Sequence, residues 1–250
     1  MGVLDELVPL LKKLRMSGVL ETLDLRVREA TEDGVAHTEF LVRLLRDEVD
    51  RRESKQLATR IRRANFEHAK TLEDFDFAFN PRVPKAKVID LATCGFITRH
   101  ENVCFVGPTG VGKSHVAQAL GHRACRAGHS TLFVRAQEMF NDLRAARADG
   151  TVTRRMQRYL NVDLLILDDL GLRPLQQTDT IDLYDVIRGR YERGSLIVTS
   201  NRSVKELYPL FGDPLLASAA MDRLLHHAHI IEMTGGSYRQ GKRGEVSAHA

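Results

Sequence analysis

Residues 104–120 read CFVGPTGVGKSHVAQAL, with three glycines and a lysine between an apolar run and a run of helical spacing. Glycine packs nothing and loses the most backbone freedom on folding. Three in six residues therefore mark a backbone shaped for close approach of a ligand. Gly107–Ser114 fits the pattern G-x-x-x-x-G-K-[ST] at every fixed position, after a strand-like run and at a helix start. In that setting loop amides point inward at phosphate oxygens, and the helix dipole adds favourable potential. Gly107, Gly110 and Gly112 give the room, and Pro108, Thr109 and Val111 complete the loop. Lys113 is expected to reach the β- and γ-phosphates, and Ser114 to ligate Mg²⁺. A glycine-rich turn without a ligand is the bland alternative, and the strand–loop–helix context disfavours it.

Two further apolar runs end in chemistry. LLILDDL carries Asp168 and Asp169 out of a buried strand at the edge where open α/β sheets bind ligands. Asp168 is expected in the metal shell and Asp169 as the acid that polarises an attacking water. The alternative is a pair of acids that cap a helix or solvate a strand end. SLIVTSN ends at Asn201. In P-loop proteins that hydrolyse ATP through a second acid, this strand lies between the phosphate-loop strand and the acidic strand. Asn201 would then face the γ-phosphate and the lytic water, unless it is a turn asparagine. SAAMDRLLHH places Arg223 on a late helix that does not easily reach the chain's own loop. Supplied to a neighbour, such an arginine stabilises charge on a transferring phosphoryl group; the alternative is a surface pair with Asp222. His226, His227 and His229 show no carboxylate or cysteine at ligand spacing and are not read as a metal site.

From Asn102 onward, five short apolar runs alternate with helical stretches, one over Thr180–Glu192. That alternation predicts an α/β fold, a parallel sheet with helices on both faces. Before it, Leu4, Leu7, Val8, Leu11 and Leu14 recur at helical spacing, as do Val19, Leu20, Leu23 and Val27. After Thr38, a candidate N-cap, Phe40, Leu41, Leu44, Leu45 and Val49 share a third face. The domain reading is a helical N-terminal domain over 1–65, an ordered linker over 66–101, an ATPase domain over 102–240 and a disordered tail over 241–250.

Composition excludes some classes. The chain has 250 residues, 43% hydrophobic and 28% charged, with a net charge of +4. No run approaches the ~20 apolar residues of a membrane span. The N-terminus lacks the pattern of a signal peptide, and Glu6 stands where a myristoylation signal wants Ser or Thr. Three scattered cysteines show neither metal nor disulfide spacing, and the expectation is a cytoplasmic protein without a membrane partner.

The quoted elements, with TLEDFDF and DRLLHH…GGSYR, resemble the IstB/DnaC branch of AAA+ ATPases over nearly the whole chain, and most of all its IstB-like members. The resemblance implies a P-loop ATPase of the AAA+ type using ATP and Mg²⁺. It also implies a homo-oligomer on duplex DNA, with arginine supplied in trans, that engages a cognate transposase. Hydrolysis is expected to be slow and stimulated by assembly or DNA. Carried over, Gly107–Ser114 hold nucleotide, Asp168 holds the metal, Asp169 is the catalytic acid, Asn201 the sensor and Arg223 the finger. Two departures stand out. Many AAA+ proteins have Asp-Glu where this chain has Asp168-Asp169, and the helical lid with its second sensor arginine is missing or vestigial, leaving Arg239 as a substitute. A helicase loader, a small-molecule P-loop kinase and a non-hydrolysing adaptor are the competing functions.

Two basic clusters are candidates for DNA. One includes Arg60, Arg62 and Arg63; the other includes Arg144, Arg147, Arg154, Arg155 and Arg158. Phosphate neutralisation would supply sequence-independent affinity. A solvated helical face is the alternative, and the resemblance raises the second cluster.

Overall fold

The computed structural model describes residues 3–238. The chain divides into two compact units, residues 1–59 and 60–250. Arg239 and the 241–250 tail lie outside the described residues.

The first unit is helical: α1 (Val3–Lys13), α2 (Ser17–Glu32) and the first part of α3 (His37–Ala64). Pro9 lies inside α1. Leu11, Val19, Leu23 and Leu44 form its small core, with Leu7, Met16, Leu20, Val27 and Phe40 packed around them. α2 starts without a side-chain cap of its own. Glu48 of α3 fills that role, accepting from the amides of Gly18 at 2.6 Å and Val19 at 3.3 Å. A carboxylate at a helix N-terminus satisfies orphan amides and suits the dipole. A Cβ at Gly18 would meet the Asp47 carbonyl and Glu48 Cα at 2.7 Å, so glycine permits this close helix approach.

The third apolar face departs from the sequence reading. α3 begins at His37, which places Thr38 inside its first turn rather than at the cap. Leu41, Leu45 and Val49 are 55, 52 and 51% exposed. The face turned to α2 runs Phe40–Leu44–Glu48, because the cap must sit on it.

The second unit follows α/β order. After α4 (Lys85–Leu91) and α5 (Gly95–Thr98) come β1 (Val103–Val106), α6 (Lys113–Arg126), β2 (Thr131–Arg135), α7 (Ala136–Ala148), α8 (Val152–Leu160) and β3 (Leu164–Asp168). Then follow α9 (Gln177–Arg190), β4 (Ser195–Ser200), α10 (Val204–Leu207), α11 (Pro214–Leu225) and β5 (His229–Glu232). The five strands expected from the sequence are these five. α9 starts three residues before the expected Thr180, because Gln176 and Asp179 form a capping box.

The sheet order is β2-β3-β4-β1-β5, all parallel. Successive strand residues serve opposite faces. Val103, Phe105, Phe133, Leu164, Ile166 and Ile197 join Val116, Ala117 and Leu120 of α6 on one side. Cys104, Leu132, Val134, Leu165, Leu167, Leu196 and Val198 join residues of α7, α9 and α11 on the other. Two buried faces explain why the strands read as continuous apolar runs. All three cysteines are free and buried, and burial pushes the Cys104 thiol up to about 12.

Arg190 braces this unit from within at 2% exposure. Its guanidinium donates to the carbonyls of Tyr159, Leu160, Val162, Asp163 and Ser195 at 2.7–3.3 Å, joining the approach to β3 with the start of β4. Burial lowers its pKa to about 10. Arg190→Met leaves these carbonyls without that donor, at about 1–3 kcal/mol for each buried group left unpaired. We expect a loss of about 3 kcal/mol or more, read as a lower urea midpoint; an unchanged midpoint would show that water replaces the guanidinium.

Candidate active site

The C-terminal edge of the sheet gathers the motif residues. Gly107, Gly110 and Gly112 have φ of 140°, 87° and 100°, backbone that side chains rarely adopt. Space demands glycine there too. A Cβ would meet the Met233 carbonyl oxygen at 2.0 Å, Ser237 Oγ at 2.2 Å and Phe75 Cε2 at 2.5 Å, respectively. Segment 233–238 straps the loop: Met233 N donates to Val106 O at 2.8 Å and Tyr238 N to Gly110 O at 3.1 Å. Pro108 and Thr109 form the exposed tip, and Val111 anchors the loop in the core.

α6 opens directly from the loop, and its N-terminus has no side-chain cap. Lys113, 5% exposed, donates from Nζ to Gly107 O, Pro108 O and Asn201 Oδ1, each at 2.7 Å. The next residue, Ser114, lies beside the Asp168 carboxyl and favours its charged form. Adjacent loop residues thus touch the ends of β4 and β3, an arrangement that needs β4 beside β1, as the sheet order provides.

Asp168 is 3% exposed at the end of β3. Burial raises its carboxyl above the usual range, opposed by hydrogen bonds from Thr199 and Ser114. Thr199 Oγ1 donates to Asp168 Oδ1 at 2.5 Å and accepts from the Asp169 amide at 2.9 Å, fixing both acids to β4. A buried carboxylate beside a serine hydroxyl is a hard-oxygen set that fits Mg²⁺.

Asp169 sits half-buried with φ of 56°. Asp and Asn are enriched in this left-handed region because their short polar side chains bond locally. That backbone suits an aspartate at this position.

Sequence reasoning missed a neighbouring cavity of about 320 Å³, lined by Phe75, Phe79, Asn80, Val111, His115 and Tyr238 among others. Phe79 meets Tyr238 edge-on at 4.9 Å, and Phe75 meets His115 at 5.2 Å. Asn80 is 4% exposed, and its Nδ2 has no hydrogen-bond partner. An aromatic cleft with an unpaired amide beside a phosphate loop fits a nucleobase. The acidic-aromatic rhythm of TLEDFDFAFN was its signal.

Arg223 lies half-buried on α11. Its Nη1 donates to Ala219 O at 2.8 Å, and its guanidinium carbon stands 5.9 Å from the Tyr184 ring and 6.0 Å from the Tyr191 ring. Among the described residues it forms no ion pair, with Asp222 or any other acid.

The second basic cluster divides. Arg147 forks onto Asp182, which is fully buried. Arg144 reaches Asn141 at 2.7 Å, Gln176 at 3.1 Å and buried Asp179 at 3.4 Å. These two staple α7 to α9, against their reading as nucleic-acid contacts. Arg155 pairs with Asp142 at 3.4 Å. Arg154 and Arg158 are exposed on α8, Arg158 over the Tyr159 ring. In the first cluster Arg62 and Arg63 are exposed on the last turn of α3, and Arg60 is half-buried. His229 bonds Glu101 at 2.9 Å, and among the described residues no group of metal-ligating side chains forms. No helix of the described residues is long and apolar enough to cross a membrane.

Comparison with known proteins adds an independent line. The family described as IstB-like ATP binding protein matches residues 9–246. An insertion-sequence ATP-binding protein of Mycobacterium tuberculosis is 43% identical over 93% of each chain. One of Pseudomonas aeruginosa is 35% identical over 94% of this chain and 89% of its own. Among solved structures, the DnaC helicase loader shares the fold at a TM-score of 0.52 and 20% identity, over 60% of this chain and 87% of that one. AMPPCP-bound DnaA from Aquifex aeolicus matches at 0.58 and 21% identity, over 73% of this chain and 57% of that one.

Proposed function

The chain belongs to the IstB-like ATP-binding protein family, of the P-loop AAA+ type, and from that premise we propose that it is an ATP-hydrolysing assembly factor of insertion-sequence transposition. It gathers as a homo-oligomer on duplex target DNA and engages a cognate transposase there. One observation carries the reading: Lys113 bonded to Asn201, with Ser114 beside the Asp168 carboxyl, at one sheet edge.

The triphosphate lies along the amides of Gly107–Ser114, with Lys113 exchanging its loop carbonyls for phosphate oxygens. The base enters the Phe75–Phe79–Asn80 cleft. Ser114 and Asp168 hold Mg²⁺, which supplies charge neutralisation at the phosphates when bound. Asp169 takes the proton of the attacking water, Asn201 orients that water, and Arg223 of a neighbouring copy stabilises the γ-phosphoryl oxygens as ADP leaves. Arg223 suits that role because its own contacts are weak; a cation–π contact is worth about 0.5–1 kcal/mol at exposed sites. Arg62, Arg63, Arg154 and Arg158 are the cations placed to meet DNA phosphates, in sequence-independent, salt-sensitive binding.

Gel shift of duplex DNA with and without a non-hydrolysable ATP analogue tests this. We expect an analogue-dependent shift that weakens with salt, and transposase recruited to the shifted species. Negligible binding in both conditions removes the DNA role. Asp169→Asn keeps a residue suited to the left-handed backbone, so it isolates the chemistry. We expect ATP affinity within about twofold, turnover down about 100-fold and DNA-bound assemblies that persist. Equal turnover in both proteins takes Asp169 out of the reaction.

A further inference from the structure

Several arginines of this chain are anchored on acids. Arg147 and Arg26 fork onto Asp182 and Asp47, carboxylates 0% and 14% exposed. A guanidinium forked onto a carboxylate with little access to water does not leave it readily, because the acid would be left uncompensated. Arg223 has no such anchor, yet it is not loose. Tyr184, on α9, and Tyr191, at the C-cap of α9, flank its guanidinium at 5.9 and 6.0 Å. Both rings have contacts of their own. Tyr184 packs against the core, and the Tyr191 hydroxyl is hydrogen-bonded to His226 Nδ1 at 3.1 Å. His226 is the C-cap of α11, and its ring lies tilted against that of His227 with centroids 4.0 Å apart. The bond therefore ties the end of α9 to the end of α11, the two helices the guanidinium bridges. Arg188 shares the outer Tyr184 ring at 5.8 Å, while its own acid, Asp185, is 3.4 Å away and half-exposed.

A guanidinium that must act on another molecule needs two properties. It must stay charged and un-neutralised, and it must be oriented before the encounter. Aromatic faces meet both conditions, since they attract the cation without cancelling its charge. They also limit the rotamers of a long side chain, whose freezing otherwise opposes the encounter. A carboxylate would satisfy the second condition and defeat the first.

We propose that Tyr184 and Tyr191 are positioning residues that hold Arg223 ready for the nucleotide of a second copy of this chain. This rests on the finger role given to Arg223 above. The rings do not touch the reacting atoms; they set the angle at which the guanidinium leaves α11. Misplacement of a catalytic group by about 1 Å costs up to about 100-fold in rate.

Steady-state ATP hydrolysis by the full chain on duplex DNA tests the proposal. The variants are Tyr184→Leu, Tyr184→Phe, the pair Tyr184→Leu/Tyr191→Leu, and each of these with Arg223→Ala. The leucine pair is expected to lower kcat about tenfold or more, leave KM for ATP within about twofold, and form the same assemblies on DNA. Tyr184→Phe keeps the ring face and is expected to match wild type. In the Arg223→Ala background the leucine changes are expected to have no further effect, which a role in folding alone would not produce. Should the leucine pair unfold, Tyr184→Leu alone carries the same readouts, checked by its melting temperature. Wild-type kcat in the leucine variants, with turnover lost in Arg223→Ala, overturns the bracket and leaves the finger standing. An additive loss in the Arg223→Ala background also overturns it. Wild-type turnover in Arg223→Ala itself is a different failure, that of the finger reading.

Discussion

Lys113→Ala should abolish measurable ATP binding at micromolar concentrations. Lys113 is 5% exposed, and its ammonium makes three hydrogen bonds of 2.7 Å, two of them to carbonyls of the loop it serves. Its removal deletes the buried positive charge nearest the phosphate path and leaves Gly107 O and Pro108 O without that donor. Charge-assisted hydrogen bonds contribute about 1.5–3 kcal/mol each. Two lost to the triphosphate therefore weaken binding about 100-fold or more. Calorimetric titration with Mg²⁺ and ATP measures this directly. A parallel thermal melt without ligand separates lost binding from lost structure, and the variant's melting temperature should no longer rise when ATP is added. Wild-type affinity in the variant would refute the assignment of Gly107–Ser114 as the phosphate site.

Arg223→Ala should leave ATP binding intact and lower turnover about 1,000-fold, the low end of the range for an arginine supplied in trans. The side chain touches Ala219, Tyr184 and Tyr191, none of them in the phosphate loop. Direct binding of nucleotide within one copy therefore should not depend on it. The trans arrangement has its own signature. Lys113→Ala subunits cannot bind ATP but carry the arginine, and Arg223→Ala subunits bind ATP but lack it. Mixing the two inactive proteins is expected to restore part of the turnover. Undiminished hydrolysis by Arg223→Ala alone, or a mixture as inactive as its parts, would sink the assignment.

The sheet was legible because each strand is a short apolar run ending in a polar residue. The loop glycines and Asp168 stood at those ends. The P-loop class puts the strand ending at Asn201 between the loop strand and the acidic strand; β4 lies there, and Lys113 is bonded to Asn201 at 2.7 Å. What the sequence hid was produced by long-range approach. Asn80 lies under Gly235 and Phe79 against Tyr238, so the aromatic cleft is completed by Tyr238, from the far end of the chain. Thr199 reads as an ordinary strand residue until its hydroxyl is seen between the two acids. The basic run at 144–158 was counted against its local acids, whereas Asp182 stands 35 residues beyond Arg147. Charge along a sequence and charge on a surface differ wherever a second helix brings the opposite sign. Asp169 illustrates a third limit: residue type was visible, but not the left-handed backbone that favours it.

The strap from Met233 to Tyr238 makes the phosphate loop a two-part object. Gly107 sits beneath the Met233 carbonyl and Gly110 beneath Ser237, and Tyr238 bonds the Gly110 carbonyl. An octapeptide transplanted from this chain into a foreign sheet would carry the motif and arrive without its brace. Conversely, a bulkier residue at Ser237 would retune nucleotide affinity in a protein whose signature residues are all unaltered.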